Sequence, residues 1–258
     1  MKKTIVLLLA FMVYSGIHAQ SLNILLSSQM PKIEIIDGKK VTTVEVSSPT
    51  GDSGSGGRTP RSISYLGSPF FIDTFQTTTF SVDSSTAPIT APVILNLAND
   101  ELLVQLADKI TPLRKINFSL AGHEFVNIKD RYYEQLYGGQ VQLLKRYERS
   151  LIPVLINNSI AGSGYGRSSQ KYDGEIGNKE IYYLVFHGNK MRVVNMNPKS
   201  IINVLKKENK GHFVNGDFER MNENDEYLKA MEKVSNLSKI DEKALVKALR
   251  NADSPVLP

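Results

Sequence analysis

The sequence contains no cysteine, so a disulfide framework and thiolate chemistry are both excluded. Histidine is almost as scarce, with four in 258 residues. Three of them, His123, His187 and His212, stand far apart with no ligand spacing between them. A histidine-based zinc site is therefore not expected. Asp173-Gly174-Glu175 lacks the alternating oxygen ligands of a calcium loop. No Gly-x-Ser-x-Gly elbow and no Gly-Lys-Ser/Thr phosphate loop occurs. Beyond the N-terminus no apolar run approaches the ~18 residues that a transmembrane helix requires. Basic residues lie scattered among acidic ones, and Lys206-Lys207 and Lys145-Arg146 are only short pairs, which argues against a nucleic-acid footprint. These absences lead us to expect no cofactor, no metal and no nucleic-acid partner.

What is present begins with a leader. Lys2 and Lys3 form a positive start, Thr4 to Val13 is almost wholly apolar, and Gly16-Ile17-His18-Ala19 offers a small-residue cleavage site. This is the pattern of a secretory signal peptide over residues 1–19, cut between Ala19 and Gln20. No cysteine follows the apolar stretch, so no lipid anchor is expected. The mature protein is expected to be exported and soluble, in the periplasm or outside the cell. Losing Lys2 and Lys3 takes the formal charge from +5 to +3. The roughly 240 residues left suffice to bury a core without covalent staples.

The rest of the chain is organised around Tyr132 to Arg146, in which Gly138-Gly139 separates two strand-like runs and is expected to turn a hairpin. Residues 20–46 carry an earlier hairpin, Ile33 to Val46, turning at Asp37-Gly38. Residues 47–62 are rich in Gly, Ser and Pro, with no large hydrophobe before Arg61, and read as a linker. An antiparallel β domain is expected over 63–196. Phe70 to Phe80 is strand-favouring. A two-residue turn at Asn99-Asp100 would pair Leu97 with Leu102, Leu95 with Val104 and Val93 with Leu106, placing six apolar residues on one face. Leu113 to Leu120 and Glu124 to Ile128 form another pair around Ala121-Gly122. The central turn pairs Leu136 with Val141 and Tyr132 with Lys145. A turn at Gly188-Asn189 pairs Phe186 with Met191 and Leu184 with Val193, with both faces of that strand pair buried. Asn157 to Gln170 reads as a surface loop.

From 197 to 258 the period changes to that of helices. Asn197-Pro198 is a helix start, followed by Ile201, Ile202 and Leu205 on one face. Tyr227, Leu228, Met231, Val234 and Leu237 repeat at helical spacing. Ser238 is the expected cap of a last helix bearing Leu245, Ala248 and Leu249, with Asp241 and Glu242 in its first turn. The expected class is α+β: an antiparallel β-meander or partly open barrel-like sheet, with C-terminal helices packed on it.

Gly67-Ser68-Pro69-Phe70-Phe71, Asn96 to Val104, Tyr132 to Tyr147, Tyr182-Tyr183-Leu184 and Asn197 to Leu205 together resemble the pattern of uncharacterised exported proteins of Bacteroidota-type bacteria. The resemblance spans residues 67 to about 237 and leaves out the N-terminal hairpin and linker. It implies an exported β-rich protein and carries no activity, ligand or catalytic residue.

Two motifs tempt and fail. Gly51-Asp52-Ser53-Gly54-Ser55-Gly56 is similar to the nucleophile segment of chymotrypsin-like serine proteases, yet no histidine lies between the cleavage site and Ser53 to take its proton. Gly162 to Gly166 is glycine-rich, but polar aperiodic residues follow where a phosphate cradle needs a helix. Glu124 with Glu134, or Asp100 with Glu101, could pair as acid and base, as in any sheet protein. No catalytic residue is assigned. The candidate binding surface is Tyr132, Tyr133, Tyr137 and Arg146, an aromatic and basic group suited to a protein or sugar if exposed and to strand packing if buried. The resulting expectation is a non-enzymatic binding module of the cell envelope, holding an envelope protein or glycan. Its rivals are a hydrolase of envelope polysaccharide or peptide using carboxylates, and a structural accessory subunit.

Overall fold

The computed structural model describes residues 30–49, 58–82, 87–153, 172–188, 190–211, 221–233 and 240–253. The leader, the Ala19–Gln20 cleavage site, the Asn157–Gln170 loop, His212, Val234, Leu237 and Ser238 lie outside the described residues.

Thirteen strands form one open, mixed and largely antiparallel sheet, followed by helices, so the class is α+β. The strands are β1 (Lys32–Ile36), β2 (Lys39–Pro49), β3 (Arg58–Leu66), β4 (Gln76–Phe80), β5 (Ile89–Asn96), β6 (Glu101–Leu106), β7 (Lys109–Leu113), β8 (Phe118–Leu120), β9 (His123–Ile128), β10 (Arg131–Gly138), β11 (Gln142–Pro153), β12 (Gly174–Phe186) and β13 (Lys190–Val194). The helices are α1 (Pro198–Gly211), α2 (Met221–Glu232) and α3 (Glu242–Asp253). The order across the sheet is β1-β2-β3-β12-β11-β10-β9-β8-β4-β5-β6-β7. Strand β12 shares its outer edge between β13 at Tyr182–Phe186 and β3 at Gly174–Glu175, the latter contact parallel.

The tight turns form where the sequence supplies residues that tolerate left-handed backbone. Asp37-Gly38 and Ala121-Gly122 each join two strands with positive φ at both residues, the geometry that matches strand twist. Lys129-Asp130 does the same between β9 and β10 without a glycine, and so escaped notice. Residues 47–49 and 58–62, expected as linker, lie in β2 and β3, which pair from Val41↔Leu66 to Pro49↔Arg58. Ladder bonds come from the backbone, which Ser and Thr supply as well as any residue.

Three registers differ from expectation. In β5–β6 the pairs are Val93↔Val104 and Leu95↔Leu102, because Leu97 to Asp100 form a four-residue loop instead of a two-residue turn. The slip is two residues, which keeps every side chain on its expected face. Leu106 is left 48% exposed beyond the pairing. In β10–β11 a loop of three residues, 139–141, gives Gly138↔Gln142 and Tyr137↔Leu143, and a bulge between Gln135 and Tyr137 then sets Glu134 opposite Lys145. In β12–β13 a three-residue loop gives Val185↔Met191 and Leu184↔Arg192. Leu184, Val185 and Phe186 are buried on both faces as expected, whereas Val193 in β13 is exposed. Leu113 belongs to β7, paired with Leu102, and not to the strand of Phe118. Of Phe70 to Phe80 only Gln76–Phe80 is strand; Phe70 makes a single bridge to Asn96.

The helices close one end of the sheet. Leu143, Leu184, Phe186 and Val194 pack with Ile201, Leu205, Tyr227, Met231, Leu245 and Leu249 in one apolar cluster. Asn197 caps α1 by accepting the Ser200 N–H at 2.8 Å. The cap of α3 is Asp241, which accepts the Ala244 N–H at 2.7 Å. A second cluster joins β4 to β10 through Phe80, Val93, Leu95, Leu102, Phe118, Phe125 and Tyr132.

Candidate functional site: a charged belt between two apolar clusters

Residues directly opposite in an antiparallel ladder share a face. Glu134 stands opposite Phe125 on one side and Lys145 on the other. Lys145 stands opposite Tyr182, and Tyr147 opposite Glu180. One face of the central strands therefore presents His123, Glu134, Lys145, Tyr147, Glu180 and Tyr182. The first residue of α3, Glu242, reaches the same place. The belt separates the helix-covered cluster from that of β4–β10.

Two hydrogen-bonded groups make up the belt. Buried Glu134 holds His123 Nδ1 at 2.5 Å through Oε1 and accepts the Tyr147 hydroxyl at 2.5 Å through Oε2. Lys145, its side chain 9% exposed, lies 2.8 Å from Glu242 Oε1 and 3.1 Å from Glu180 Oε2. Tyr182 donates to Glu242 Oε1 at 2.6 Å. The Lys145 ammonium also lies 4.8 Å above the Tyr147 ring, a cation–π contact that joins the two groups. Phe71 packs its ring edge against His123 at 5.0 Å.

The surroundings set the protonation states. Burial opposes the Lys145 charge, but its bonds to Glu242 and Glu180 outweigh this and raise its pKa. Burial likewise works against ionised Glu242, and the Lys145 and Tyr182 bonds still hold it below the usual carboxylate range. Burial first, and then the bond to Glu134, pushes the Tyr147 hydroxyl far up. Tyr182 follows for the same reasons, with Glu242 as its partner. Around neutral pH these four groups are ammonium, carboxylate and two phenols, each committed to a partner.

The four residues expected as a surface are divided between the two faces. Tyr132 is buried in the β4–β10 cluster, edge-on to Phe118 at 5.2 Å, and burial pushes its hydroxyl up to about 12. Tyr133 points to the opposite face and meets Tyr183 edge-on at 5.5 Å. Neighbours on a strand alternate, so the two rings cannot form one surface. The half-buried Tyr137 hydroxyl donates to Asp253 at the end of α3. Arg146 faces away from Lys145, 12% exposed, and bonds Asp100 at 3.3 Å and Glu148 at 3.0 Å.

The suggested acid–base pairs separate as well. Glu124 and Glu134 lie on opposite faces, since Glu134 shares its face with Phe125. Asp100 is occupied by Arg146 and the Tyr132 N–H, and Glu101 by Arg114. Among the described residues no group of three or more acidic or histidine ligands is placed to hold a metal. Sequence reasoning grouped Lys145 and Tyr147 with the tyrosine and arginine cluster but not with Glu134, and it missed Glu180, Tyr182 and Glu242. The signal for the link was the alternation of Tyr132-x-Glu134 against Lys145-x-Tyr147, usable once Glu134 is set opposite Lys145.

A second feature lies at the other end of the β4–β10 region. Among the described residues strands β4 and β8 pair only through Phe80↔Phe118, and there an open groove of about 650 Å³ runs between Thr79–Val82 and Lys115–Ser119, with Glu124 on its rim. Compared with protein-family models, curated proteins and solved structures, the chain matches none.

Proposed function

We propose that this chain is an exported, non-enzymatic binding module of the cell envelope, acting in the periplasm or outside the cell on a protein or glycan partner. One observation carries the reading: the central belt commits its acids and bases to one another. A general base must titrate near the working pH and be free to take a proton. Lys145 and Glu242 are held away from neutral by their partners, and Tyr147 and Tyr182 first by burial and then by their bonds to Glu134 and Glu242, which suits a rigid scaffold better than acid–base chemistry. The leader-like first 19 residues support export. A partly closed, barrel-like curl of the sheet, braced by the Tyr132 hydroxyl 3.5 Å from the Leu113 carbonyl, would hold a binding surface firm.

In-cell crosslinking of the tagged protein in its native host, followed by mass spectrometry, tests the reading. The expected result is one envelope partner in near-equal amount, bound to a chain that begins at Gln20. Hydrolysis of envelope polysaccharide or peptide by the purified chain, lost in Glu134→Gln, would overturn it in favour of a carboxylate hydrolase.

A further inference from the structure

Strands β10 and β11 part before either of them ends. The ladder between them stops at Glu134↔Lys145, and no pair joins Arg131–Tyr133 to Arg146–Glu148 among the described residues. The Tyr132 N–H points into this parting and away from β9, because Asn127 opposite it gives its own N–H to Asn117. Its acceptor comes from elsewhere in the sheet. Asp100, the last residue of the β5–β6 loop, takes that N–H on Oδ1 at 3.2 Å. Its other carboxylate oxygen lies 3.3 Å from the Arg146 guanidinium on β11. One carboxylate therefore ties the open ends of two strands to a third element. The far end of the loop is fixed by Leu97, which is buried and donates its N–H to the Pro69 carbonyl.

The tie is incompletely satisfied. The side chains of Asp100 and Arg146 are only 15% and 12% exposed, yet Arg146 sits closer to Glu148, at 3.0 Å, than to Asp100. Arg146 Nε and Asn99 Oδ1, both buried, have no hydrogen-bond partner among the described residues. Ionised Asp100 thus gives up water for one amide and one shared cation. Burial lifts its carboxyl above the usual 3.8, outweighing the Tyr132 N–H and the charges of Arg146 and Arg131, which lower it. Of the other groups around it, Glu101 is paired with Arg114 and Asp130 with Lys115. Burial keeps the Tyr132 and Tyr133 hydroxyls protonated into alkali. Once released, the Asp100 carboxylate is hydrated and returns to its ordinary value. Protonation therefore favours the tied state, which is complete below 3.8 and weakens as pH rises through the higher folded value.

We propose that Asp100 is a pH-sensitive strap, holding the β5–β6 loop in the parting of β10 and β11, tight in acid and poised to open at neutral pH. Opening frees the Tyr132 N–H and uncouples the β4–β10 region from the helix-backed strands while the chain stays folded.

Amide hydrogen exchange of the full purified chain, resolved by residue with NMR and corrected for the intrinsic rate, tests the strap. The Tyr132 amide reports it, and the β11 amides bonded to β12 report the rest of the fold. Relative to those, Tyr132 protection is expected to fall about threefold or more between pH 4.5 and pH 7. Asp100→Asn keeps an acceptor oxygen and loses the titrating proton, so its Tyr132 protection is expected to be equal at the two pH values. Wild-type protection that is flat or rises with pH, a result that needs no variant to fold, would overturn the proposal. So would an Asp100→Asn chain that retains the wild-type pH dependence. Weaker Tyr132 protection in Asp100→Asn than in wild type at neutral pH would also overturn it, because the tie would then be held by charge.

Discussion

Replacing Lys145 by Met tests whether the belt is held by charge. The ammonium is nearly dry and touches two carboxylates at 2.8 and 3.1 Å. Removing one partner of a fully buried ion pair costs about 3–5 kcal/mol, because the other charge is left unpaired. Here Glu180 and Glu242 are 41% and 37% exposed, so water can return to them, and screening reduces the expected loss to about 1.5–3 kcal/mol. Methionine keeps the apolar stem over the Tyr147 ring, which confines the change to the charge. For a chain of this size the melting temperature should fall by about 3–12 °C. Glu242→Gln should cost about 1–2 kcal/mol, and the double variant less than the sum, by about 1–2 kcal/mol. Acid should close the gap. Glu242 titrates below its usual 4.5 in the folded chain, so its contribution is present above 4.5 and disappears as pH falls through the lower folded value. Urea denaturation of wild type, both single variants and the double variant at pH 7 and pH 3 measures all of this. Additive single effects, or a Lys145→Met chain within about 0.5 kcal/mol of wild type at pH 7, would refute the reasoning.

Alkali should destabilise the fold from about pH 10 upward, because Tyr132 and Tyr137 keep their protons up to about 12 while the denatured chain releases them near 10. Tyrosinate absorbance followed alongside far-UV circular dichroism should show late ionisation coinciding with unfolding. Gly139→Ala should cost about 1–2 kcal/mol, since a Cβ there would lie 2.5 Å from the Tyr137 ring and collide with Asp253, breaking the tie between β10 and α3. Asn197→Ala should cost about 1 kcal/mol through loss of the α1 cap, and Leu245→Ala about 2–5 kcal/mol from the helix–sheet core, both read by urea denaturation.

The class of the fold was legible because two periods are written plainly into the chain. Alternating apolar residues around Asp37-Gly38 and Ala121-Gly122 marked hairpins, and Leu245, Ala248 and Leu249 marked a helix face, all found as expected. Registers were less legible, and for a definite reason. Alternation specifies a face, and a face is unchanged by a shift of two. Val93 and Leu95 therefore stayed inward although their partners moved from Leu106 and Val104 to Val104 and Leu102. Loop length decides between such registers, and Leu97, buried and bonded to the Pro69 carbonyl, drew the β5–β6 loop out to four residues. That contact comes from a segment almost thirty residues earlier, beyond the reach of local pattern.

The belt was harder to see for the same reason, one level up. Tyrosine clustering in sequence suggested a surface, but consecutive tyrosines on a strand go to opposite faces. What gathers on one face are residues two apart on one strand and their opposites on the next. Charge could have chosen the register: the three-residue loop alone would set Lys145 opposite Gln135 and the bulge in β10 brings Glu134 there instead, whereas the expected two-residue turn leaves Lys145 facing Tyr132 with no anion opposite it. Burying an unpaired charge is the costlier outcome, so charge complementarity argues for the bulge before any coordinates are known. The last member stays invisible even so, because Glu242 arrives from a helix 97 residues beyond Lys145. Only the packing of α3 on the sheet, driven by Leu245 and Leu249, delivers that carboxylate to the ammonium. The belt therefore depends on the helical core as much as on the strands, and loosening α3 should release Lys145 and Tyr182 together.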